Sequence, residues 1–132
     1  MAERDHCDVR RIIVDGMNVI GSRPDGWWRD RDGAVRRLLA TLQDLAASSG
    51  QDVTVVFDGR PLPDVAEGDH DAVHVRYATR RGRDAADDRI VELVHDDADA
   101  QSLTVITSDR ELSRRVRELG ASVEGARSVL PR

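Results

Sequence analysis

Asp15, Asp58 and Asp109 each close an apolar run that suits a buried strand: "IIVDG", "VTVVFDG" and "LTVITSD". An aspartate followed by glycine is ordinary turn chemistry, and one such ending would mark a strand-to-loop turn and no more. Its recurrence asks for a second reason. A further pair, Asp84 and Asp87, opens "DAADDRIVELV". Helical steps from these two reach Ile90, Val91 and Val94, so the pair stands at the top of the stripe that faces the core. The same pair also suits a plain helix terminus, with Asp84 capping and Asp87 answering the dipole. Asp88 points further around, toward Glu92 and His95, and is expected to be solvated.

If Asp15, Asp58, Asp84, Asp87 and Asp109 converge, their charges repel, and some must take up protons unless a cation neutralises them. Hard oxygen donors without histidine or cysteine suit Mg²⁺ or Mn²⁺ rather than zinc. Such a site activates water and stabilises the leaving oxygen of a phosphodiester. Asn18, in "IIVDGMNVI", would orient a ligand or the scissile phosphate. The histidines need no catalytic role: His6 is near the terminus, His70 lies in a loop, and His74 and His95 read as surface residues.

Alternating strands and helices must position these acids. Strands are predicted over Arg11 to Asp15, Val53 to Asp58, Ala72 to Tyr77 and Leu103 to Thr107, with a short one at Ala121 to Val123. A helix over Gly33 to Ser49 carries Val35, Leu38, Leu39, Leu42 and Leu45 at helical spacing and stops at Gly50. Two more span Asp84 to Asp97 and Asp109 to Leu119, the last opened by a capping box of Ser108 and Glu111 and ended by Gly120. "GRPLPDVAEGDHD" reads as a long exposed loop. Nearly all-apolar strands separated by amphipathic helices imply an α/β/α sandwich with a mostly parallel sheet, and such sheets bind ligands beyond the carboxyl ends of their strands.

The 132 residues make one domain, 1–132, with residues 1–10 as an N-terminal extension. The hydrophobic share of 39% is enough for a core, and 34% charged residues make the surface ionic. No apolar run approaches the ~20 residues of a membrane span, and the polar start has no signal-peptide core, so the sequence predicts a cytoplasmic protein. The single cysteine, Cys7, forms no internal disulfide, and His6 beside it lacks the partners of a zinc site. All twenty basic residues are arginine. The lack of lysine removes Schiff-base catalysis, a Walker phosphate loop and the lysine of response-regulator receivers.

The segments "IIVDGMNVIG", "VVFDG", "RGRDAADDRIVEL" and "VITSDREL" together resemble the successive motifs of the NYN nucleases, in particular the YacP-like branch of that PIN-like group. The likeness runs from about Arg11 to Glu124. It implies a PIN-like fold and a divalent-metal-dependent ribonuclease that cleaves by in-line attack of water on phosphorus. The family's acidic site falls on Asp15, Asp58, Asp87 and Asp109, with Asn18 beside them and Asp84 close by; Asp15, Asp87 and Asp109 are the expected metal ligands. Asp84 departs from the pattern, since the third motif usually begins with glutamate, one methylene longer.

The net charge of −5 argues against gripping nucleic acid with the whole surface. Arginine forks do suit phosphate, and Arg76, Arg80, Arg81, Arg83 and Arg89 lead into or lie on the acidic helix, where they would flank the cut. For any one of them a solvated loop position is the plainer reading. Trp27 and Trp28, two of only four aromatic residues, could stack on unpaired bases or simply cover the first long helix. The expected substrate is single-stranded or loop RNA, delivered by a partner or by the ribosome. A haloacid-dehalogenase phosphatase with Asp15 as nucleophile needs a second aspartate two residues on, where Met17 stands. The remaining alternative is a PIN-like module that binds RNA or protein without cutting.

Overall fold

The computed structural model describes residues 10–23, 26–78, 82 and 84–130. In chain order the elements are β1 (Arg11–Asp15), α1 (Gly16–Gly21), α2 (Arg31–Ser49), β2 (Asp52–Phe57), β3 (Gly68–His70), β4 (Val73–Tyr77), α3 (Ala85–Asp96), β5 (Leu103–Ile106), α4 (Arg110–Glu118) and β6 (Ser122–Glu124). Short 3-10 turns occupy Trp27–Arg29, Ala100–Ser102 and Ala126–Val129. One six-stranded sheet runs in the order β3-β4-β2-β1-β5-β6, with only β3 antiparallel to its neighbour.

Because successive strand residues face opposite sides, β1 feeds two cores. Ile12 and Val14 join Val55, Phe57, Leu38 and Leu42 under α1 and α2. Ile13 joins Val56, Val105, Ile90 and Leu112 under α3 and α4. Helices thus cover both faces in a three-layer α/β/α sandwich, as the run-on apolar strands imply.

The order also reverses at β1. The chain first builds outward through β2 and β4, then crosses to β5 and β6 on the other side. The carboxyl ends of β1 and β5 therefore flank the switch point, where open α/β sheets take their ligands.

One element adds to the sequence reading and two local readings are corrected. α1 is a helix that six residues are too few to announce by periodicity, and it packs Val19 and Ile20 into the core. The stretch after β2 is not wholly an exposed loop, for it includes β3 and a buried Val65, whose carbonyl accepts from the Tyr77 hydroxyl at 2.6 Å. At α4 the cap is Asp109, not Ser108: Asp109 Oδ1 accepts from Leu112 N–H at 2.9 Å, while Ser108 Oγ accepts from Ala126 N–H at 3.1 Å. Residues 1–9, with Cys7 and His6, lie outside the described residues.

Gly16 lets the chain turn from β1 into α1 directly against β2. A Cβ there would meet the Phe57 ring at 2.6 Å and the Val56 carbonyl oxygen at 2.9 Å. Gly16→Ala is expected to destabilise the fold by about 1–3 kcal/mol through this overpacking, read as a lower denaturant midpoint at unchanged slope.

Candidate active site

Asp15 is the last residue of β1 and is 4% exposed. Its carboxylate Oδ2 accepts a hydrogen bond from the Thr107 hydroxyl at 2.8 Å, just past β5. The same hydroxyl oxygen accepts from Asp109 N–H at 3.1 Å. One threonine side chain thus joins two of the acidic residues across the switch point. Asn18, on α1, adds a second stitch: its Oδ1 accepts from Ser108 N–H at 2.8 Å.

The other acids approach from the neighbouring elements. Asp58 follows β2 and forms an ion pair with Arg31, the first residue of α2, which also donates to the Asp58 carbonyl at 3.1 Å. Asp87 lies half-buried in the first turn of α3. Asp84 is exposed at the cap position of α3, and its side chain makes no capping bond there. Asp88 departs from the solvated placement expected of it: it is half-buried and pairs with Arg115 on α4 at 3.1 Å.

The electrostatics show that these acids feel one another. Burial pushes the Asp15 carboxyl up to about 6; the Thr107 hydroxyl opposes this, and the charges of Asp87 and Asp109 add to it. Asp87 is also pushed up to about 6, first by burial, then by Asp109 and Asp84, with Asp58 adding and the Arg115 guanidinium opposing. Asp15 and Asp87 thus each feel other acids picked out in the sequence. Among the described residues, no three histidine, cysteine, aspartate or glutamate side chains stand close enough to hold one ion between them.

The basic and aromatic candidates divide. Arg76 sits within β4 on the α3 side of the sheet, donates to the Val75 carbonyl at 3.1 Å, and lines a hollow with Arg11, Asp52 and Asp97 at the strands' amino-terminal side. Arg80, Arg81 and Arg83 lie outside the described residues. Arg89, on α3, pairs with Glu92 at 3.4 Å. Trp27 packs against the core under α2, whereas Trp28 is 62% exposed. His74 bridges Asp69 and Asp52, and His95 is exposed beside Asp96.

Sequence reading missed Thr107, Arg31 and Arg115. Thr107 carried a signal, a polar β-branched residue at the end of an apolar strand. The two arginines carried none, since their partners lie 27 residues away in one case and on a separate helix in the other.

Known proteins agree with this architecture. The model of the YacP-like NYN domain matches residues 12–131. The chain belongs to the YacP-like NYN domain family. Two solved structures are similar to it. Rae1 (YacP) from Bacillus subtilis is 25% identical at a TM-score of 0.71, covering 92% of this chain and 72% of that one. A tryptophan-to-leucine mutant of the same protein gives 25%, 0.73, 92% and 73%. No curated protein matches. As a YacP-like NYN domain, the chain has a nuclease-type fold with its acids at the sheet's switch point.

Asp15 and Asp87 bind protons more tightly folded than unfolded, so ionising them costs folding free energy. That cost is complete above about pH 6 and is relieved as the pH falls toward the ordinary carboxylate value; for buried Asp15 it amounts to about 3 kcal/mol. Lowering the pH of metal-free protein from about 7.5 to about 5 is therefore expected to raise its unfolding free energy. Asp15→Asn, which keeps an acceptor for Thr107, is expected to remove the Asp15 share of that rise in chemical denaturation and leave the Asp87 share.

Proposed function

We propose that this YacP-like NYN domain is a divalent-metal-dependent ribonuclease that cuts single-stranded or loop RNA endonucleolytically. The observation that carries the reading is the link through Thr107 between the buried Asp15 carboxylate and Asp109 at the switch point, in a chain of nuclease-type family.

The donor chemistry fits Mg²⁺ or Mn²⁺. The candidate ligands are all carboxylate oxygens, two of them pushed up to about 6 by burial and like charge. A small divalent cation keeps several waters and needs only one or two protein carboxylates, so an open arrangement of acids suits it. One or two of Asp15, Asp87 and Asp109 would hold the ion, with waters filling the rest of its shell; when bound it would activate water and neutralise charge on the phosphodiester. Thr107 fixes the Asp15 carboxylate and the Asp109 backbone together, so the pair needs little rearrangement. Asn18 spends its oxygen on Ser108, which leaves its amide NH₂ to donate to a phosphate oxygen. Asp58, paired with Arg31, acts as a positioning residue and keeps a guanidinium beside the acids.

Purified protein with Mn²⁺ is expected to cut a mixed RNA pool. Asp87→Ala and Asp15→Asn are expected to lower the rate by roughly a hundredfold or more while RNA affinity is retained; even outer partners of a catalytic metal typically cost roughly 10–100-fold. An intact pool in every sample, with RNA still bound, would make the chain a binding module instead.

Metal at about a hundred times its dissociation constant is expected to stabilise the fold by about 2.7 kcal/mol, since only the folded site binds it. The melting temperature of chelator-treated protein should therefore rise by several degrees in Mg²⁺ or Mn²⁺. Asp87→Ala should abolish that rise.

A further inference from the structure

We propose that Trp28 is a stacking platform for an unpaired nucleobase of the RNA strand that enters the acidic cleft, an inference that rests on the nuclease reading above. Among the described residues Trp28 is the one large hydrophobic side chain that is exposed, at 62%. A single exposed apolar side chain is ordinary on a protein surface; what sets this one apart is how it is held.

The indole is held in place rather than loose. Gly26, at φ 74, takes the left-handed conformation that opens the 3-10 turn, and the turn closes on Asp30, whose carboxylate caps α2 by accepting from Gly33 N–H at 3.0 Å. Trp27 packs against the core and meets the Trp28 ring edge-to-face, with centroids 6.3 Å apart at 86°. The exposed ring is thus braced from below and anchored at both ends of its turn. A preorganised aromatic face loses little freedom when a planar ligand settles on it.

Charge and location select the ligand. The Arg29 guanidinium stands over the Trp28 ring, 5.8 Å from its centroid, so a base that displaces it from the ring would find a cation at hand for its phosphate. Arg31 follows three residues after Trp28 and pairs with Asp58 at the carboxyl end of β2, so the two Cα atoms are at most about 11 Å apart. A strand leaving the acids on the Asp58 side would pass this turn. Bases in a duplex are already stacked and offer no free face, so the platform selects single-stranded RNA.

The test uses chelator-treated protein, so that no cutting intervenes, and a short mixed-sequence RNA as single strand or blunt duplex. In Trp27→Phe protein Trp28 is the sole indole. Its emission is expected to be quenched by the single strand and little affected by the duplex. In the otherwise unaltered chain, Trp28→Ala is expected to weaken single-strand binding roughly tenfold, with duplex binding and melting temperature unchanged, and Trp28→Phe to restore most of the affinity. Equal quenching by duplex, an unaltered single-strand affinity in Trp28→Ala, or no RNA binding at all would overturn the assignment. Quenching and tenfold weakening without cleavage in Mn²⁺ would uphold the platform while removing the nuclease reading.

Discussion

The hydrogen bond from the Thr107 hydroxyl to the buried Asp15 carboxylate is the constraint on which the arrangement turns. It joins the ends of β1 and β5, the two strands between which the sheet reverses its order. A carboxylate in an apolar setting is costly, and the threonine offsets only part of that cost, as the upward push on Asp15 shows. The remainder is a standing demand for positive charge at one place in the molecule. The hydroxyl also accepts from the Asp109 backbone, so the start of α4 is set by the bond that holds Asp15. Fold and site share one link there, and neither can shift without the other.

Much of this was legible in the sequence because strand ends are marked twice, once by apolar composition and once by the residue that breaks it. Asp15, Asp58 and Asp109 were placed by that rule, and a parallel sheet then put them on one edge. Asp87 was found by helical stepping from Ile90 and Val94. What stayed hidden depended on contacts across the chain. Arg31 and Asp58 give no sign in the sequence that they pair, and Asp88 looked solvated because the partner that half-buries it, Arg115, belongs to another helix. α1 was too short to show a period, and the Asp109 cap outcompeted the Ser108 motif because Ser108 was already committed to Ala126.

The arginines divide the surface into separate tasks. Arg31 is committed to Asp58 and Arg115 to Asp88, so each brings a positive charge near the acids while sparing them full neutralisation. Arg36 with Asp64, and Arg114 with Glu111 and Glu118, form exposed pairs that hold local geometry and contribute little to stability. A chain with a net negative charge can thus keep its cations where an anionic strand would run and balance the rest elsewhere.

The two outermost strands carry a consequence of a different kind. β3 and β6 are each three residues long, and β3 runs against its neighbour with Asp69 on it, engaged by His74. A foreign strand docking on either margin would gain only a few backbone bonds and would meet charge on one side. The borders of the sheet thereby discourage end-to-end joining of copies into fibrils, so the long apolar strands needed to aim the acids stay safely in the interior.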